Sequence, residues 1–283
     1  MLSLKESDIK TKFHGFFKPI FFTFLIKQSL WVLLATSFIN IFFTVGFPSL
    51  ICTNTENNNP KFFAVLVAQM FTNMAAPCMM IAVLLLAKKI VTLVNNGDLV
   101  YIFCSKTTRT QIVFTQFIML FATFLMVNVI SILVVYCVNV VNDYQLFSTE
   151  LGILFINKFL IEILLASVAL FFSCLFNKTG KYFAVLSVLF MFFYVANIVA
   201  TIGETLSKQM PDLEWMTIFK YLTVFTLFSG FIGGMGGMGT VSSQIIFEID
   251  WDGETMSIIC MSVVSIIFLI ATWFVFKRKD LPI

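Results

Sequence analysis

The sequence predicts an all-α integral membrane protein that crosses the bilayer six times. Three observations predict it: an extreme apolar composition, six long apolar stretches, and charge that alternates between the connections. Of 283 residues, 59% are hydrophobic and only 12% are charged, and the mean hydropathy is +0.98. Soluble domains carry roughly a quarter charged residues, so this chain has too little polar surface to cover itself in water. A bilayer is its natural solvent, provided that every backbone amide is bonded internally, as in a helix.

The elements follow in order. Residues 1–28 form a cytoplasmic amphipathic segment, in which Lys10, Lys12, Lys18 and Lys27 alternate with Phe13, Phe16 and Phe17. That mixture suits a helix lying in the membrane interface, and an unstructured basic tail is the competing reading. Lys18, Pro19 and Lys27 interrupt the apolar run, and no small-residue cleavage site follows, which argues against a signal peptide. Residues 29–283 form one transmembrane domain with spans at 29–50, 62–87, 112–138, 151–176, 182–202 and 256–276. Each reaches the roughly 20 residues that cross about 30 Å of hydrocarbon.

Charge orients the spans. If they alternate, one side receives Lys5, Lys10, Lys12, Lys18, Lys27, Lys88, Lys89, Lys106, Arg109, Lys178, Lys181, Lys277, Arg278 and Lys279, fourteen of the eighteen cations. The other side receives Lys61, Lys208 and Lys220 with ten acids, among them Asp143, Glu150, Glu204, Asp212, Glu214 and Asp250. The positive-inside rule then places both termini in the cytoplasm of a multi-pass protein of the cell membrane.

Catalytic chemistry is poorly provided for. His14 is the single histidine, so zinc-protease motifs and histidine-based triads are excluded within this chain. The six cysteines are scattered without metal or redox spacing and read as small apolar residues. The glycine run at 230–239 ends without lysine, and NKTGK at 177–181 lacks the upstream glycine and the closing Ser or Thr of a phosphate loop. The chain itself therefore reads as a non-enzyme, with no cofactor of its own and no nucleic-acid partner.

Two connections are long enough to act. In the inner one, Asn95, Asn96, Gly97 and Asp98 break an apolar run, and Asp98 is placed to cap a short helix over 99–104. An ordinary solvated basic loop is the alternative. In the outer one, residues 215–231 are apolar but contain Lys220 and precede the glycine run. Glycine at that density weakens a helix, which favours a re-entrant or interfacial helix; two further spans would also keep the count even.

Polar residues inside spans are costly and therefore informative. Lys158 and Glu162 sit four apart, on one helical face, as a neutralising pair. Lys158 falls near the outer end, where snorkelling is expected. Either the pair is structural or Glu162 is the ion-coupling carboxylate of a secondary transporter. Gln69, Asn73, Asn128 and Asn197, with Asn40, either line a polar path or bond neighbouring helices. Pro77 is expected to kink the second span.

Two segments together resemble a known family: GDLVYIFCSKTTR at 97–109, leading into the third span, and FKRKDLPI at 276–283, directly after the last. They are similar to the permease subunits of type-two ABC exporters, in the branch that ends in a basic-Asp-Leu-Pro-Leu signature and carries Gly-x-Leu, an apolar helix and Pro-x-Ser-Arg before span three. Gly97, Leu99 and Arg109 match. Lys106 stands where proline is usual, Thr108 where serine is, Asn95 and Asn96 where glutamate is, and Ile283 where the final leucine is. The resemblance implies six spans, an amphipathic N-terminal helix, and a cytoplasmic coupling helix between spans two and three. Gly97, Asp98, Leu99, Tyr101, Ile102 and Phe103 would form that helix, and Arg109 would fix its exit beside headgroups or the partner. It further implies a second permease, identical or not, and separate ABC ATPase subunits that hold ATP and magnesium. The Phe-rich walls suit a lipophilic or amphipathic cargo such as a membrane-active peptide. A secondary transporter relying on Glu162, and a non-transporting immunity or scaffold protein indifferent to changes in 97–109, are the competing classes.

Overall fold

A computed structural model describes residues 31, 32, 34–55, 63, 66, 67, 70, 71, 75–99, 102, 108–142, 149–206, 210, 215, 216, 218, 219 and 251–279. Among them every regular element is a helix. Six helices are long and apolar enough to cross a membrane: Leu34–Cys52, Ala76–Asn96, Arg109–Val141, Leu151–Leu175, Thr179–Ala200 and Ile258–Arg278. The N-terminal segment and most of 215–239 lie outside the described residues; within the latter, 215, 216, 218 and 219 adopt 3₁₀ geometry with Trp215 and Ile218 exposed.

The fourth span is the centre of the bundle, with 78% of its apolar window buried against 17% for the first and sixth. Spans two, three and six pack along it. Elsewhere large apolar side chains such as Phe38, Met126, Val188 and Ile270 face outward, a surface that fits lipid and not water. Hydroxyls within the spans bond back to the carbonyl four residues earlier, as Ser131, Ser167, Ser265 and Thr272 do. This satisfies each hydroxyl without a neighbouring helix.

Two spans depart from regular helix. In the first, Phe42–Gly46 form a π turn in which the Phe47 amide bonds the Phe42 carbonyl five residues back. Pro48 follows at once and cannot donate to the turn before it, so the wider turn absorbs the mismatch. In the second, residues 71 and 75 also have π geometry, just ahead of Pro77 in the first turn of Ala76–Ala87. Pro77 thus stands in the first turn of a helix, where its missing N–H costs no intrahelical bond.

The second span also runs further than its apolar stretch. After a turn at Lys88 the helix resumes over Lys89–Asn96 and ends at Gly97, whose φ of 76° is the left-handed cap that glycine accepts without strain. Ile90, Val91, Leu93 and Val94 bury one face of this extension. Backbone bonding therefore does not stop at the lysine pair.

Candidate functional site

The chemistry-bearing residues gather in two places, one within the bundle and one at its basic end. In the bundle, Lys158 and Glu162 on span four meet Asn128 on span three. The Asn128 amide donates to Glu162 Oε2, while its carbonyl oxygen accepts from Lys158 Nζ at 3.0 Å. Lys158 Nζ is 3.7 Å from Glu162 Oε1, an ion pair beyond hydrogen-bond length. The rings of Phe71 and Phe155 lie 5.5 and 5.6 Å from the ammonium, within cation–π range. All three polar side chains are buried.

This overturns the expectation that Lys158 snorkels. Its exposure is 0%, because the pair sits on the most enclosed span and two aromatic rings, an amide and a carboxylate complete its shell. Of the four residues considered for a polar path, Asn128 joins this cluster and Asn197 is buried on span five. Gln69 and Asn73 lie outside the described residues. Asn40 borders a small cavity with Glu162, between spans one to four.

At the basic end, Arg109 begins span three and reaches across to the end of span six. Its Nη1 donates to the carbonyls of Phe276, Lys277 and Lys279 at 3.4, 3.0 and 2.6 Å. Sequence had directed Arg109 toward headgroups or a partner; the structure turns it onto the chain's own last helix. The terminal carbonyls of a helix lack intrahelical donors and carry partial negative charge, so a guanidinium there is doubly favoured. Trp273 adds an indole bond to Thr110 Oγ1 at 3.2 Å.

Lys279 extends the clasp to span four. Its Nζ donates to the carbonyls of Cys174 and Phe176, both at 2.7 Å, again the free carbonyls of a helix end. Half-burial pushes this ammonium below the ordinary lysine pKa. Lys277 and Arg278 turn outward over Trp273 and Phe274, an aromatic and basic rim suited to an interface. Spans three, four and six are thereby joined at one end by two side chains.

The break at Lys88 adjoins this end. It is held by three side chains from three spans: Tyr182 donates to the Leu84 carbonyl at 3.1 Å, Gln116 to the Leu86 carbonyl at 2.9 Å, and the Val91 amide donates to Ser173 Oγ at 3.1 Å. Beyond Gly97, Asp98 is half-buried, Leu99 is helical and buried, and Ile102 is helical and packs on the core. Tyr101 and Phe103 lie outside the described residues. Sequence reading missed Gln116, Ser173 and Tyr182 entirely, since each is an unremarked polar residue whose partner is a backbone atom on another span.

Among the described residues no three His, Cys, Asp or Glu side chains converge as metal ligands do. No protein-family model matches the sequence, and no curated protein matches it.

Proposed function

We propose that this chain is the transmembrane permease subunit of an ATP-driven exporter of the type-two ABC class. It would work as one of a pair of permeases, with separate ATPase subunits docked at a cytoplasmic basic face. The observation that carries this reading is the clasp: the two segments on which the resemblance rests, 97–109 and the basic tail, meet through Arg109 and the carbonyls of Phe276, Lys277 and Lys279.

The mechanism follows from the bonds at that end. A partner that closes on ATP presses on residues 97–104, and the helix Lys89–Asn96 transmits the push to the break at Lys88. Gln116, Ser173 and Tyr182 hand the movement to spans three, four and five. Arg109 and Lys279 keep spans three, four and six moving together. ATP and magnesium supply the energy in the partner; this chain receives force and reshapes the path. An apolar, Phe-rich wall suits a lipophilic or amphipathic cargo, of which membrane-active peptides are the proposed class.

A second reading, a secondary transporter coupled to ions, is favoured by the full burial of Glu162 beside a cavity. Reconstitution with the ATPase partner separates the two. Reversing charges with Arg109→Glu and Asp98→Lys leaves membrane insertion and ATP hydrolysis in place. Transport per ATP falls by roughly 5- to 150-fold, the range of coupling energies between linked sites. Unaltered transport in that variant, together with its loss in Glu162→Gln, would establish the ion-coupled reading instead.

A further inference from the structure

Between spans one, two, three and four lies a cavity bordered by Thr36, Asn40, Cys78, Val127 and Glu162, with about 20 Å³ of room for the centre of a small molecule. That volume accommodates a single water. Ile39, Met79, Ala82 and Phe124 make most of the remaining wall apolar, and the polar groups on it are few. Asn40 Oδ1 and Glu162 Oε1 are both buried, and no donor among the described residues bonds either one. Neighbouring polar groups are bonded elsewhere. Glu162 Oε2 accepts from Asn128 and Lys158 bonds Asn128 Oδ1; the Thr36 hydroxyl donates to the Val32 carbonyl.

Two residues that border one small space, Asn40 and Glu162, each carry a buried acceptor oxygen without a donor, and one donor with two hydrogens would satisfy both. Lys158 cannot supply them, because its Nζ stays 3.7 Å from Oε1. An apolar void of this size would stay dry, whereas one that offers two acceptors binds water firmly. We infer that this cavity is a binding site for one structural water molecule, which donates to Glu162 Oε1 and to Asn40 Oδ1. The Cys78 thiol on the same wall is a weak donor toward its oxygen.

The bridge gives Asn40 a role. The first span is, with the sixth, the least covered of the six, and its π turn begins two residues after Asn40. Through the water, that span is tied to the Asn128–Lys158–Glu162 cluster at the centre of the bundle. The inference is independent of whether the chain is driven by ATP or by ions.

Water-edited solid-state NMR on the full-length protein in lipid bilayers tests it, using ¹³C- and ¹⁵N-labelled chain. Polarisation from water protons should reach the Glu162 carboxyl and the Asn40 side chain, and fail to reach Ser265, which is buried in span six. In Asn40→Leu the transfer to Glu162 should fall several-fold although Lys158 remains beside it. Absence of transfer to Glu162 in the native protein overturns the inference. Transfer unchanged in Asn40→Leu overturns it as well. Should that variant fail to insert, the native measurement decides alone.

Discussion

A carboxylate removed from water survives only if its charge is answered on every side. Glu162 is answered by Lys158 one turn away and by the Asn128 amide across the helix interface. Burying such a pair is not itself a large source of stability, but removing one member strands the other charge at a cost of roughly 3–5 kcal/mol. Glu162→Gln should therefore lower the thermal midpoint in detergent sharply, whereas Lys158→Met with Glu162→Leu should recover most of the loss. A silent Glu162→Gln would mean that the lysine escapes to water after all. The spacing of Lys158 and Glu162 made the pair legible in the sequence. The identity of its third member was not. Span three is apolar around its whole circumference, so nothing in residues 112–138 reveals which way Asn128 points. Only the packing of span three on span four decides that.

Helix ends and breaks carry the next level. At Lys88 the α-helix of the second span gives way to a turn, and Leu84, Leu86 and Val91 find partners on three other spans. The lysine pair was readable as a membrane boundary, but the continuation to Asn96 was hidden, because an amphipathic extension looks like a loop once the apolar run stops. Gly97, by contrast, was readable as a breaker, and the structure explains it: φ is 76° and a side-chain Cβ would meet nothing within 4 Å. Substitution there is a pure backbone test. Gly97→Ala should cost about 1–2 kcal/mol, the penalty of left-handed geometry for an L-residue, while Gly97→Asn should cost clearly less. Equal losses for the two, measured by thermal unfolding, would show that the cap is not what holds the segment beyond it.

At the scale of the molecule, insertion into a membrane was the firmest expectation and a count of six spans followed from it; among the described residues six helices are long and apolar enough to cross a membrane. Charge alternation also anticipated that Arg109, Lys279 and the lysines near position 88 would share one end, since attraction to a polar interface sorts cations regardless of packing detail. What no linear pattern could convey is that Arg109 and Lys279 spend their donors on the carbonyl ends of other helices. Such acceptors are backbone atoms, present at every residue and marked at none. The result is an end of the bundle in which spans three, four and six are fastened together beside the segment that follows Gly97. On the proposed reading, this is the end on which the ATPase partner acts. The decisive measurement is therefore purification of the tagged full-length chain from its native membrane in mild detergent. If the chain is an ABC permease, a protein with Walker motifs co-purifies in near-stoichiometric amount and hydrolyses ATP; recovery of this chain free of any ATPase, with transport retained in its absence, would contradict it.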